Sequence, residues 1–329
     1  MTPADREPGG TIAVLGLGAI GSALAAELAH LEGSHELVLA ARSGARARAK
    51  AADLYHASPL GGLGAVRGCA LEELSGADLV VIAAGVLPPE TGTRSDALAA
   101  NVNLYRQIVP ALAERNPDAC LVVVANPVDA MVHAARILSG FPPDRVIGTG
   151  TLLDTIRLRA ILARELGLRP GDVAALVIGE HGDSMLPLWS RARAGDRPLA
   201  EYASAAGLEF DPAFRSRVMH ELRRAGWEIR AAGEHSAYAI ARCAAAIVRA
   251  LLSPGATVLP VSRCAEGVFG LGELCLSLPV ALGAGAAAAG SAARPEEFPL
   301  SDEEGAGLQA CARALRPLFA EVDAMLAAD

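Results

Sequence analysis

A chain of 329 residues with 52% hydrophobic content and a formal net charge of −8 is long enough for two domains with an extensive core and too apolar to remain disordered. Its 29 lysines and arginines are scattered among 37 acidic residues. That balance argues against a nucleic-acid or anionic-membrane surface and leaves small molecules and further copies of the chain as the expected partners.

The six cysteines (Cys69, Cys120, Cys243, Cys264, Cys275 and Cys311) show no C-x-x-C or metal-ligand spacing. No metal and no disulfide framework is expected, and the thiols read as buried in a reducing cytoplasm. Residues 1–10 are polar and lack a basic n-region followed by an apolar core, so they read as a flexible tail rather than a signal peptide.

A strand over residues 12–15 runs into Gly16-Leu17-Gly18-Ala19-Ile20-Gly21 and then into a helix over residues 22–30. In G-x-G-x-x-G the first glycine permits the tight turn, the second lets backbone approach a pyrophosphate, and the third lets helix and strand pack closely. The free N–H groups of the helix start then face phosphate. A second strand, residues 36–40, follows at βαβ spacing, which is the context the motif requires for dinucleotide binding.

Further strands are expected near residues 79–83, 121–125 and 145–147, separated by helical stretches. The alternation predicts a Rossmann-type, doubly wound parallel sheet forming a dinucleotide-binding domain over residues 1–150. Its carboxyl rim carries Gly16–Gly21, Ala41, Arg42, Ser43, Ala84, Gly85 and Asn126, and residues 86–96 leave that rim as a loop long enough to act as a lid.

A second, α+β catalytic domain is expected over residues 151–329. It opens with a helix over 151–166, then a strand over 173–178 that leads into Gly179-Glu180-His181-Gly182-Asp183-Ser184. A long helix over roughly 211–241 follows, then another through Ala250, a strand–turn region over 257–280 and a C-terminal helix capped at Ser301 with Glu304 three residues on. The apolar run at 280–293 is too short and too glycine-rich to span a bilayer.

Asp154 and Arg157 stand three apart on a helix and share a face. Two readings stay open: a simple surface ion pair, or an Asp154 that orients His181 while Arg157 receives a substrate carboxylate.

Several segments in one order resemble the lactate/malate dehydrogenase family of NAD(P)-dependent L-2-hydroxy-acid dehydrogenases, from about Thr11 to Val322. They are Gly16–Gly21, Ala83-Ala84-Gly85 with the loop to Thr93-Arg94-Ser95-Asp96, Asn101-Val102-Asn103, Ala125-Asn126-Pro127-Val128-Asp129, Val146 to Arg157, and Gly179 to Ser184. The resemblance implies hydride transfer between a nicotinamide and C2 of a 2-oxo acid. His181 matches the proton donor, held by Asp154. Arg157 matches the residue that grips the carboxylate, Arg94 the one that polarises the carbonyl on loop closure, and Asn126 the one beside nicotinamide and substrate oxygen. The family also implies a homodimer or homotetramer.

The departures are specific. Where NAD-using members place an aspartate for the adenosine ribose, twenty residues after Gly21, this chain has Ala41 followed by Arg42 and Ser43. Loss of the carboxylate with gain of a cation and a hydroxyl predicts NADP(H) preference. Pro88 stands where lactate dehydrogenases have glutamine and malate dehydrogenases arginine. An apolar or non-dicarboxylate 2-oxo acid is therefore expected, unless another arginine compensates. Ser236 matches the small pocket-wall hydroxyl after a one-residue insertion.

Arg159 matches the arginine of the anion site in sugar-phosphate-activated members, but Ala174 occupies the histidine position, so that activation is not expected. The alternatives carried forward are an ordinary NAD-dependent L-lactate or malate dehydrogenase and, from a different class, a non-catalytic dinucleotide-binding sensor.

Overall fold

The computed structural model describes residues 10–31, 35–61, 65–86, 94–234, 236–283 and 295–328, with backbone alone for Arg94 and Ser95. Six strands of the first half run parallel: β1 (Thr11–Leu15), β2 (Glu36–Ala41), β3 (Ala65–Ala70), β4 (Leu79–Ile82), β5 (Cys120–Val123) and β6 (Val146–Gly148). Their spatial order is β3-β2-β1-β4-β5-β6, the doubly wound order of dinucleotide-binding sheets. Helices α1 (Ala19–Leu28), α2 (Gly44–Ala57), α3 (Arg94–Arg115) and α4 (Val128–Ser139) make the crossovers.

The period of two sorts each central strand onto two cores. Ala13, Leu15, Val80, Ile82, Leu121 and Val123 face one cluster. Ile12, Val14, Leu79, Val81, Cys120 and Val122 face the other.

Strand β3 has no counterpart among the expected strands because it is a partly exposed edge strand, Ala-Val-Arg-Gly-Cys-Ala, without a continuous apolar run.

The second half contains α5 (Leu152–Leu166), β7 (Val173–Ala174), β8 (Val177–Ile178), β9 (Leu186–Pro187), β10 (Arg193–Ala194), β11 (Arg197–Pro198) and α6 (Leu199–Ala205). It continues with α7 (Pro212–Ala231), α8 (Ala237–Leu252), β12 (Thr257–Cys264), β13 (Cys275–Leu282) and α9 (Asp302–Ala327). The antiparallel pair β12–β13 joins the main sheet beside β6 through Ser262 and Gly148. The six described cysteines are free and buried, and Cys264 and Cys275 are register partners across that pair.

Two expectations are corrected here. The single strand over 173–178 is two short strands, because the chain changes partner midway: β7 pairs with β10, whereas β8 pairs with β9. The single helix over 211–241 is also broken. Asp211 caps α7 through the Phe214 N–H, but the helix stops at Gly233, whose φ of +78° is left-handed, with its N–H bonded to the Arg230 carbonyl.

The C-terminal helix starts as expected, on the Ser301–Glu304 capping box. Glu304 reaches further than a local cap, because its carboxylate also accepts from the Ser190 N–H at 3.0 Å and hydroxyl at 2.7 Å. Among the described residues no helix is long and apolar enough to cross a membrane, and no three His, Cys, Asp or Glu cluster to hold a metal.

Candidate active site

The glycine turn is shaped by close approach. A Cβ on Gly16, at φ +95°, would lie 2.5 Å from the Ala84 amide nitrogen, and one on Gly21 would lie 1.8 Å from the Gly16 carbonyl oxygen. A Cβ on Gly18 would meet nothing within 4 Å. Gly16 and Gly21 are thus demanded by the protein's own packing, while the space over Gly18 is left open, as a pyrophosphate at a helix start requires. The first turn of α1 carries no acidic residue to oppose an anion. The residues present therefore fit a dinucleotide.

That space belongs to a cavity of about 630 Å³ lined by Gly18, Ala19 and Ile20 at one end and by Asn126, Arg157, His181 and Ser236 further in. Gly85 also lines it, whereas Gly16, Gly21, Ala41, Arg42, Ser43 and Ala84 do not. Ala84 instead presses on Gly16, and Ala41 to Ser43 continue from β2, next to which the Gly16 N–H bonds the Ala40 carbonyl at 2.9 Å. Arg94 begins α3, one turn before the cavity-lining Ala97. Pro88 and the loop over 87–93 lie outside the described residues.

Hydrogen bonds between hydroxyl side chains and backbone groups tie the start of α5 to β8 and β13 and position the polar centre. The Thr151 hydroxyl donates to the Val177 carbonyl at 2.5 Å, the Val177 N–H donates to the Thr155 hydroxyl at 2.9 Å, and the Thr151 N–H donates to the Ser277 hydroxyl at 2.9 Å. Gly179 and Ser277 exchange backbone bonds at 2.8 and 2.9 Å. Asp154 lies on α5 between its N-cap Thr151 and Thr155, so its carboxylate meets the ring two residues beyond Gly179.

The resulting contact is short: His181 Nδ1 lies 2.5 Å from Asp154 Oδ2. Asp154 is buried, while His181 keeps a face to the cavity. With Nδ1–H donated to the carboxylate, Nε2 is the nitrogen left for a ligand. Burial opposes a charged imidazole, but the Asp154 carboxylate outweighs it and holds the pKa above the ordinary histidine value.

Arg157 completes the group. Its Nη2 donates to the Ser236 hydroxyl at 3.0 Å, and Nη1 stands 3.8 Å from Asp154 Oδ1. The Asp154 side chain is only 2% exposed and that of Arg157 16%, so the surface ion pair is not what forms. The carboxylate serves the histidine closely and the arginine loosely. A Cβ on Gly226 of α7 would lie 3.6 Å from Arg157 Nη1, so the helix passes close over the guanidinium. The break at Gly233 then turns the chain back and delivers Ser236 to Arg157.

Other residues of the site take no role from the sequence, although Asn101 and Asp129 lie in segments that carry the resemblance. Asn101 donates to the Asn126 carbonyl at 2.9 Å and exchanges bonds with the Val86 backbone, tying the base of the loop to the Asn126 turn. Asp129 accepts the His181 N–H at 2.8 Å and the Ser262 hydroxyl at 2.6 Å. Burial pushes its carboxyl up to about 6, against both hydrogen bonds. Trp227, Arg230 and Glu234 add a wall to the cavity from α7 and the turn that follows.

Replacing Ser262 by alanine is expected to cost about 1–3 kcal/mol of unfolding free energy at pH 7, read by urea denaturation, because it strips a donor from a buried carboxylate. The raised pKa sets the sign: the penalty falls on the ionised form, so it shrinks as pH drops through about 6.

Comparison with known proteins places this geometry. Residues 11–148 match the lactate/malate dehydrogenase NAD binding domain, and residues 151–325 match the lactate/malate dehydrogenase alpha/beta C-terminal domain. An L-lactate dehydrogenase of Gloeobacter violaceus is 38% identical over 304 residues, covering 92% of this chain and 91% of that protein. The L-lactate dehydrogenase of Thermus aquaticus is 39% identical over 273 residues, covering 83% and 88%. The crystal structure of the minor L-lactate dehydrogenase from Enterococcus mundtii in its ligands-bound form aligns with a TM-score of 0.87 at 28% identity, over 97% of this chain and 99% of that one.

The chain is therefore an oxidoreductase built to act on a CH–OH group with a nicotinamide cofactor. It belongs to the lactate/malate dehydrogenase family.

Proposed function

We propose that this protein is an NADP(H)-linked reductase of small 2-oxo acids with an apolar or non-dicarboxylate side chain, running in reverse as an L-2-hydroxy-acid dehydrogenase. The observation that carries the reading is one cavity joining an open phosphate cradle at Gly18 to the Asp154–His181 pair and the Arg157 guanidinium. A sensor needs the first feature and has no use for the others.

Gly18, Ala19 and Ile20 would hold the pyrophosphate, with Gly85 and Asn126 on the way to the nicotinamide. Bound there, the nicotinamide supplies the hydride. Arg157 receives the substrate carboxylate in a forked pair, fixed from behind by Ser236. His181, kept protonated by Asp154, gives its proton from Nε2 to the oxygen on which charge develops. Arg94, by the family resemblance, would stabilise the charge on that same oxygen.

Cofactor choice turns on Ala41. With no carboxylate closing β2, a 2′-phosphate meets no repulsion, and Arg42 and Ser43 follow at once. A division into domains at residue 150, a homo-oligomeric assembly and a cytoplasmic setting complete the proposal. Exposed Tyr55 and Tyr238 are compatible with the assembly, and the free thiols with the setting.

One observation favours a second reading, an ordinary lactate or malate dehydrogenase. Arg230 lines the cavity and supplies the further arginine that a dicarboxylate would need, with Glu234 on the same wall opposing it. Initial rates with NADPH and NADH against pyruvate, branched 2-oxo acids and oxaloacetate decide between the two. The expected outcome is catalytic efficiency at least tenfold higher with NADPH and lowest with oxaloacetate. Higher efficiency with NADH overturns the cofactor assignment, and oxaloacetate as best substrate overturns the side-chain assignment.

A further inference from the structure

We infer that Arg46 is the residue that grips the 2′-phosphate of the dinucleotide, with the Ser43 hydroxyl and the start of α2 completing the anion site. The inference rests on the NADP(H) reading above and deepens it, because the sequence motif points to Arg42.

Geometry separates the two arginines. The Arg46 side chain leaves the first turn of α2 and reaches back to the glycine turn, where Nη2 stands 3.4 Å from the Leu17 carbonyl oxygen. Leu17 lies between Gly16 and Gly18, and Leu15 and Ala40 are register partners in β1 and β2. The guanidinium therefore spans the corner between the carboxyl ends of these two strands, where an aspartate at position 41 would otherwise meet the ribose. Both arginines are exposed, but among the described residues nothing fixes the Arg42 guanidinium, whereas Leu17 holds that of Arg46.

The corner is also electrostatically prepared. The Arg46 contact with Leu17 is long and made to a neutral carbonyl. It occupies one of the guanidinium's five donors, and among the described residues Arg46 has no carboxylate partner. The acid packed beside this helix, Glu73, is already engaged by Arg48 at 3.4 Å and by the Ala70 N–H at 2.8 Å. Ser43 caps α2 by accepting the Arg46 N–H at 3.3 Å, which leaves its hydroxyl proton free to donate. The first turn of α2 contains no acidic residue, so its unpaired N–H groups favour an anion. Exchange of a long neutral hydrogen bond for a charge-assisted pair with a phosphate dianion supplies the selectivity.

Equilibrium binding tests this without turnover. NADPH and NADH are titrated by nicotinamide fluorescence into wild-type, Arg46→Ala and Arg42→Ala proteins. Adenosine 2′,5′-bisphosphate and adenosine 5′-monophosphate compete as fragments, and circular dichroism establishes that each variant is folded.

The wild type is expected to bind NADPH at least tenfold more tightly than NADH. Arg46→Ala is expected to lower that ratio at least tenfold and to abolish the preference for the bisphosphate fragment, while Arg42→Ala lowers the ratio less than threefold. No NADPH preference in the wild type overturns the NADP(H) reading and this assignment with it. A preference that survives in Arg46→Ala and is lost in Arg42→Ala overturns the assignment alone.

Discussion

Replacing His181 by alanine is expected to lower kcat for 2-oxo-acid reduction by roughly 10²–10⁴-fold with little change in KM, the usual reach of a positioned general acid. In the proposed reaction the substrate carboxylate is bound by Arg157, so the loss is expected to fall on the chemical step. The more revealing variant is Asp154→Asn. In the wild type burial depresses the imidazole's proton affinity and the carboxylate at 2.5 Å more than restores it.

The sign of the pH effect follows. Reduction needs the protonated ring, so its rate is full at low pH and falls as pH rises through a value above the ordinary histidine range. Removing the Asp154 charge leaves burial opposed by Asp129 alone, and the alkaline limb moves to lower pH, as kcat/KM profiles of the two proteins will report. An unmoved limb in Asp154→Asn would show that some other group donates the proton.

The same raised pKa is a folding statement. His181 adds stability that is complete below its unfolded pKa and is lost as pH rises through its folded one. Asp129 works in the same direction from the opposite charge type: with its carboxyl held at about 6, the cost of ionising it in the fold sets in as pH rises above the ordinary carboxylate value and is complete above about 6.

The parts of this site that lie on local patterns are legible in the amino-acid sequence. Gly16 to Gly21 is a strand–turn–helix whose chemistry is readable from spacing alone. The Asp154–Arg157 separation places both on one helix face, and the order of family segments carries the rest. Contacts joining residues far apart in the chain are not legible. Nothing near Asp129 announces that it will hold the His181 N–H 52 positions later. Asp211 to Ala241 holds two glycines, Gly226 and Gly233, and the sequence does not distinguish them; only Gly233 takes a left-handed φ, which ends α7 and thereby makes a wall from Trp227 and Arg230. Strand β3 leaves no signal because an edge strand does not need an apolar run. Sequence adjacency favours Arg42 over Arg46, whereas one turn of helix brings the more distant arginine back over the glycine turn.

Replacing Arg157 by leucine is expected to remove about 3–5 kcal/mol from transition-state binding, a fall in kcat/KM of roughly 10²–10⁴-fold carried mainly by KM. The guanidinium is mostly buried, so a substrate carboxylate received there would have surrendered water. The other arginine among the described cavity-lining residues, Arg230, is exposed and cannot replace it at that depth. Lysine is expected to recover only part of the loss. A point charge cannot reproduce the fork, and it gives up the planar geometry through which Nη2 is held by Ser236 at 3.0 Å.

Arg157 also lies 3.8 Å from Asp154, so a kinetic loss alone would not separate substrate binding from disturbance of the proton relay. The substrate's own charge makes the separation. A 2-oxo amide presents the same carbonyl without the carboxylate, and the wild type is expected to prefer the acid by roughly the same 10²–10⁴-fold that the mutation removes. In Arg157→Leu that preference collapses towards unity if the arginine acts on the carboxylate. If it acts instead through Asp154, acid and amide fall together, the preference persists, and the pH limb shifts as it does in Asp154→Asn.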